Sequence, residues 1–417
     1  MSILTEESVN CINNKLFIKR KFYRLHQNSS NRLLDEESPS NGRILTLVLT
    51  LSLLLASFQS AFAIESPVLK QNNRIGIHIL FPSEINNAAK LINSNGGDWG
   101  YVVIPIQSGD KDIEKWQGFF DEAISNHVIP ILRLSTEGEY FNTSRWRKPT
   151  DSDLVDFANF LNSLEWPVKN RYIIVYNEVN RGDEWGGTPN PGEYAQILNS
   201  AVDIFKSRNK DFFIISAGLD NAAPSLGNYL NQYDFLREVE SFSPGIFNKI
   251  DGMSSHSYPN PGFAQEPDRE SLMGTGSYLH ESLLINEYRD SKIPIFITET
   301  GWKIGAVTED QASEFLGRAY REIWTDPNIV TVSPFLLNAG DHNFQGFSLI
   351  DSHGNKRKTY NVIEKLSKAK GQPSINNKRV LSVTIQKAIP IKEFSKFIKK
   401  SFPIRMAESI FEFFLRL

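Results

Sequence analysis

Apolar runs and amphipathic segments alternate along the chain from residue 64 to about 370. Ile75–Leu80 is short, apolar and β-branched, and it precedes an amphipathic stretch from Pro82 to Ser94. The same pair recurs with Tyr101–Ile106 and Asp112–Asn126, where Trp116, Phe119, Phe120 and Ala123 share one helical face. Strand patterns follow at 127–134, 172–178, 211–217, 250–258, 294–300 and 330–337. Helical patterns lie between and after them at 151–164, 190–205, 231–242, 277–289, 309–324 and 359–368. Thr150 or Asp151 and Thr308 are placed to cap the helices that follow them. Eight β-then-α units in about 300 residues have the size and rhythm of an α/β (β/α)8 barrel. The rival is a doubly wound open sheet, but no G-x-G-x-x-G follows the first strand and no P-loop occurs.

The ends of the strands favour the barrel. A buried strand has no packing reason to finish on polar groups, yet Tyr172-Ile-Ile-Val-Tyr-Asn-Glu178 ends on an amide and a carboxylate. Pro294-Ile-Phe-Ile-Thr-Glu299 does the same. His78, Arg133, His256 and Tyr258 also fall near C-terminal strand ends, where barrel active sites are built. Two glutamates on strands four and seven face each other across an eight-stranded ring. That is the arrangement a two-carboxylate glycosidase needs, and a separation of about 5–5.5 Å would make it a retaining one. Arg133 is placed to keep one carboxylate charged; taken alone, it is equally a structural ion pair. Trp146, Trp185, Trp302 and Tyr258 are candidate stacking faces for pyranose rings. Trp99, Trp116 and Trp324 fall in core patterns. His78 reads equally as a site residue and as a satisfied core histidine.

Asn177-Glu178 and Thr298-Glu299-Thr300-Gly301-Trp302 resemble glycoside hydrolase clan A, the retaining (β/α)8 cellulase, mannanase and β-glycosidase-like enzymes. The resemblance runs in order and spacing over about 64–370. It implies that Glu178 is the acid/base, Glu299 the nucleophile, and Asn177 a partner of the sugar 2-hydroxyl. Ser255-His256-Ser257-Tyr258 resembles the clan's strand-six motif, which implies a Tyr258 donor to the nucleophile and His256 lining the site nearby. One departure stands out. Where many members carry a tryptophan after strand eight, this chain has Phe335-Leu336-Leu337-Asn338. Trp302, Phe335 or Phe344 takes that place, or the subsite is looser.

Charge sharpens the picture. Residues 377–417 carry 9 Lys and Arg against 3 Asp and Glu, and residues 1–63 carry 7 against 5. The remaining 64–376 has 29 against 40, and this acidity disfavours nucleic acid as a ligand. The expected partner is a glycan. No H-E-x-x-H motif or clustered His/Asp set occurs, no G-x-S-x-G occurs, and no cofactor is expected.

The chain divides into a leader (1–63), a catalytic barrel (64–370) and a linker with a basic tail (371–417). The run Ile44–Ala56 has the length of a signal-peptide core, and Ala61-Phe62-Ala63 has the form of its cleavage site. An uncleaved anchor is the alternative; Ser57, Gln59 and Ser60 weaken it. Either way the barrel is expected outside the cytoplasm, secreted or membrane-associated. The only cysteine, Cys11, lies in the leader, so the barrel has no disulfide framework. In the tail, Ile391, Phe394, Phe397 and Ile398 form one helical face flanked by lysines. That face reads either as a layer packing back on the barrel or as a helix lying in an anionic membrane surface. Two rivals to an enzyme follow: a carbohydrate-binding barrel without catalysis, and a cell-envelope scaffold.

Overall fold

The computed structural model describes residues 64–136, 145–340 and 343–376. The leader, the tail and its expected helix lie outside these residues.

Eight parallel strands alternate with helices. The strands are β1 (Gly76–His78), β2 (Gly100–Gln107), β3 (Val128–Ser135), β4 (Arg171–Ile174), β5 (Phe212–Ile215), β6 (Met253–His256), β7 (Ile295–Glu299) and β8 (Ile329–Val332). The helices are α1 (Ile85–Ile92), α2 (Ile113–Ser125), α3 (Asp151–Ser163), α4 (Pro191–Arg208), α5 (Gln232–Phe242), α6 (Ile246–Lys249), α7 (Ser277–Asn286), α8 (Glu309–Arg318) and α9 (Lys358–Lys365). The turn Pro82–Glu84 leads into α1, and a wider turn, Ala319–Ile323, ends α8 early. The capping residues behave as their chemistry requires. Thr150 and Thr308 accept from the N–H groups of Asp153 and Gln311, and Asp112, Asn190 and Asn231 cap α2, α4 and α5.

Pairing runs β1 to β5 in one sheet and β6 to β8 in another. Two seams join them into a ring. Ile215 bridges Gly252 in parallel, and Ile75 bridges Val332 in parallel. At the second seam the Val332 N–H donates to the Arg74 carbonyl at 2.9 Å. Inside the ring, alternate residues of the strands (among them Tyr101, Ile131, Tyr172, Phe213 and Phe296) form one apolar cluster. The opposite faces pack on the helices in a second, larger cluster. This two-sided burial is why the strands read as continuous apolar runs. Ile64 and Val68 pack against the inner cluster, and Asn170 binds the backbone of Glu65 on both its N–H and its carbonyl. The segment around 64–72 therefore closes the end of the barrel opposite the C-terminal strand ends. No helix among the described residues is long and apolar enough to cross a membrane.

Several strands are shorter than their apolar runs. β4 ends at Ile174 rather than 178 because Tyr176 and Glu178 take left-handed backbone, with φ of 71° and 37°. β8 ends at Val332, and 333–337 passes over the barrel mouth as loop. At β6 the side chains split by parity. His256 and Tyr258 point toward the barrel mouth, while Ser255 and Ser257 point outward to α7. There Ser255 donates to the buried Glu281 carboxylate at 2.9 Å.

Burial pushes the Glu281 carboxyl up to about 7 from 4.5, against the opposing bonds from Ser255 and Ser277. A folded value above the unfolded one gives stability that is full below about pH 4.5 and is lost as pH rises through 7. Glu281→Gln keeps the hydrogen bonding without the charge. Its melting temperature should therefore gain on the wild type as pH goes from 5 to 8. The full difference amounts to about 3 kcal/mol. Parallel melting curves across that range would contradict an ionisable Glu281 in the folded state.

Candidate active site

At the C-terminal end of the barrel a cleft of about 250 Å³ opens between the strand-end loops. Glu299 sits on its floor, 7% exposed. Strict alternation after the outward-facing Ile295 and Ile297 would turn Glu299 away from the mouth. The β6–β7 register slips between Ser255 and His256, so that His256 pairs with Glu299 and Thr298 is left as the extra residue. Thr298 faces inward to Ser254, and the bulge brings Glu299 inward after it. One Glu299 oxygen accepts from Arg133 Nη1 at 2.7 Å and the other from the Tyr258 hydroxyl at 2.9 Å. Arg133 also donates to the Asn177 side-chain oxygen, so one guanidinium links β3, the turn after β4 and β7.

Glu178 lies across the cleft. Its N–H donates to the Gly218 carbonyl at 2.9 Å, which anchors the left-handed turn to the strand-five end. One carboxylate oxygen meets His256 Nδ1 at 3.0 Å, and the other accepts from Arg181 Nη1 at 3.0 Å. Gly218 is required by proximity, since a Cβ there would lie 2.2 Å from the His256 ring. Burial opposes a charged His256, but the Glu299 and Glu178 carboxylates outweigh it and hold the imidazole above its ordinary range. A donor oxygen of Glu178, one of Glu299 and a His256 nitrogen all lie within 4.8 Å of one another. These three could hold a metal ion. The charge they offer is already met by Arg133 and Arg181, and a divalent cation would have to displace those hydrogen bonds.

The remaining expected residues sort by burial. His78 is fully buried and does not reach the cleft. Phe335 packs edge-on against it at 5.0 Å, its Nε2 lies 3.6 Å from Glu299, and neither ring nitrogen has a hydrogen-bond partner among the described residues. Burial and the charges of Arg133 and His256 hold it well below the ordinary histidine range, so it is neutral. His256, 1% exposed, stands behind Glu178 rather than lining the opening. Trp185 and Trp302 do not offer stacking faces. Both are core residues, and their indole N–H groups donate to Glu193 and to the Gln265 carbonyl. The loops after β4 and β7 fold these rings back onto the helices that follow them. Trp146 and Tyr258 do line the cleft, as do Asn177 and Arg133.

The place of the missing tryptophan is taken by phenylalanines. Phe335 and Phe344 meet edge-to-face at 5.2 Å, and Phe263 and Phe347 at 5.0 Å, beside Tyr258. Facing this aromatic wall is a polar one of Arg181, Glu184 and Asp220. The strand-end rule could have found Asp220, which closely follows the run Phe212–Ala217. Glu184 and Phe347 carry no such signal, because they sit within loops whose course the periodicity does not define.

Arg133 and Glu299 can be tested as a pair. Arg133→Met leaves a buried carboxylate without its cation and should destabilise the fold by about 3–5 kcal/mol. Adding Glu299→Gln should recover most of that loss. A double mutant whose loss in a denaturant titration equals the sum of the two single losses would show that the ion pair is not coupled.

No family model matches the chain, and no curated protein is similar to it. Among solved structures it is similar to a GH39 β-xylosidase from Caulobacter crescentus, with 13% identity over 71% of each chain and a TM-score of 0.51. It is similar also to a GH5_18 structure from Streptomyces cattleya in complex with GlcNAc, at 15% identity over 71% of this chain and 80% of that one, with a TM-score of 0.50. A GH5_18 structure from Bifidobacterium longum subsp. infantis stands at 13% identity, 71% and 79% coverage, and a TM-score of 0.50. Identities this low speak to architecture alone, and the architecture is the parallel α/β barrel on which those glycoside hydrolases are built.

Proposed function

We propose that the protein is a retaining glycoside hydrolase that cleaves a β-linked glycan by double displacement. The observation that carries this reading is the pair of carboxylates, Glu178 and Glu299, facing each other in one cleft with donor oxygens within 4.8 Å. Carboxylates this close favour direct attack by one of them over the wider spacing that an inverting mechanism uses. The two environments separate the roles. Glu299 is held by a guanidinium and a phenol hydroxyl, both of which favour the anion, so it acts as nucleophile on the anomeric carbon. Glu178 meets Nδ1 of His256, whose imidazole the two carboxylates hold above its ordinary range, so a proton source stands on the Glu178 side of the cleft. That proton goes to the leaving oxygen as its bond to the anomeric carbon breaks. Glu178 then takes a proton from the water that releases the glycosyl group from Glu299. Asn177, oriented by Arg133, is placed for the 2-hydroxyl of the sugar held on Glu299. The aromatic wall supplies apolar surface for the C–H face of that sugar.

A panel of aryl β-glycosides and β-glucan, mannan and xylan polysaccharides tests the activity. Glu299→Ala should lower kcat by at least about 10⁴-fold, and added azide should restore a glycosyl azide of inverted configuration. Near-normal turnover by a folded Glu299→Ala protein would remove the nucleophile assignment.

The acid role has its own signature. Glu178→Ala should slow substrates with poor leaving groups by on the order of 10³-fold, while activated aryl glycosides lose far less in the first step. The same loss on both substrate types would exclude Glu178 as the proton donor.

A further inference from the structure

The two carboxylates divide the cleft, and the reaction proposed above, on which this inference rests, says what lies on each side. The proton donor must touch the glycosidic oxygen, so the departing sugar lies on the Glu178 side. The sugar retained on Glu299 lies beside Tyr258 and the phenylalanines. The departing sugar therefore meets the loop after β4, where Arg181, Glu184 and, from the strand-five end, Asp220 line the opening.

Most of these groups are already engaged. Arg181 gives its Nε and Nη2 to Asp183 and its Nη1 to Glu178, with Asp220 at 3.6 Å from the same Nη1. Asp220 accepts from the Ala222 N–H at 2.9 Å. Asn177 is turned to Arg133. Glu184 alone among them makes no hydrogen bond and no ion pair with the described residues, yet it is only partly exposed and lines the cleft. It is also held in a rigid place. The Trp146 N–H donates to the Asp183 carbonyl at 2.7 Å, and the Gly186 N–H donates to the Trp146 carbonyl at 2.8 Å. The chain on either side of Glu184 is thus stitched to Trp146, whose half-buried ring lines the same wall.

We propose that Glu184 is the specificity-determining residue of the leaving-group side, where it holds a hydroxyl of an uncharged departing sugar that stacks on Trp146. Burial, and after it the charge of Glu178, pushes the Glu184 carboxyl up to about 8; Arg133 and Arg181 pull it down and Asp183 adds to the rise. Below that pH the group is a neutral acid that both donates to and accepts from a sugar hydroxyl. A uronate in that position would meet Glu178, Asp183 and Asp220, while the guanidinium groups whose charge reaches Glu184 are committed elsewhere, Arg181 to those same carboxylates and Arg133 to Glu299. The subsite therefore selects neutral sugars over acidic ones. Such choice through a polar contact is strong, because a substrate that lacks the contact leaves a buried group unmet.

The test compares two substrates with the same glycone, an aryl β-glycoside and the matching β-oligosaccharide, on wild type, Glu184→Gln and Glu184→Leu. Glu184→Leu should raise KM for the oligosaccharide about tenfold more than for the aryl glycoside, and Glu184→Gln should keep most of the affinity through its amide. In the wild type, KM for the oligosaccharide should climb as pH passes 8, where the carboxyl loses its proton. In Glu184→Gln that climb should vanish. An oligosaccharide with a uronic acid in the departing position should be turned over at least about tenfold more slowly than the neutral one. Equal penalties on both substrates in Glu184→Leu, or the same pH profile of KM in wild type and Glu184→Gln, would overturn the role of Glu184 and leave the glycosidase reading standing. No turnover of any β-glycoside by the wild type would overturn both.

Discussion

The Arg133–Glu299 ion pair is the interaction on which the mouth of the barrel depends. A carboxylate this deeply buried costs several kcal/mol unless a cation and further hydrogen bonds meet it. Arg133 supplies the cation at 2.7 Å, and Tyr258 binds the second oxygen. Because Arg133 also binds Asn177, the same guanidinium fixes the turn after β4. With Tyr258 and Asn177, the pair thus ties together the ends of four strands, β3, β4, β6 and β7. It also explains the neutral His78 beneath it, since a second buried cation next to Arg133 would be repelled.

Charge is distributed around the cleft by sides. Arg133 serves Glu299, and Arg181 serves Glu178 together with Asp183 and Asp220. The opposite wall carries rings instead of charges, with Tyr258, Phe263 and Phe347 in mutual edge-to-face contact. Such a wall lowers the local dielectric and strengthens the electrostatic contacts at Glu299. The polar side carries more acid than base. This is the local form of the acidity that distinguishes residues 64–376 from both ends of the chain.

Backbone irregularities aim both carboxylates. Tyr176 and Glu178 are left-handed, a conformation that costs non-glycine residues on the order of 1–3 kcal/mol each. The surroundings hold it in place. Glu178 is anchored on the Gly218 carbonyl, and the Tyr176 ring packs among buried residues near Trp185. On β7 the bulge at Thr298 does the equivalent work for Glu299. Regular strands would have left one carboxylate on the wrong face and the other too far along its ladder.

Much of this was legible in the sequence because it is local. The alternation of apolar runs with amphipathic stretches is set by burial on both strand faces, and the caps at Thr150, Asn190 and Thr308 are decided within four residues. Glutamates at the ends of apolar runs pointed to the mouth of a barrel because buried strands do not otherwise finish on charge. The pattern could not reveal which rings face the opening. Trp185 and Trp302 follow the same strand ends as Glu178 and Glu299, yet both are core, because loop paths rather than periodicity decide where a side chain beyond a strand points. Phe263 and Phe347 reach the cleft by such paths, as does Glu184. Sequence alone determined the barrel rhythm and the two carboxylates. Only the tertiary structure decided their partners, the bulge that aims Glu299, and the walls of the cleft, because each depends on contacts between segments far apart in the chain.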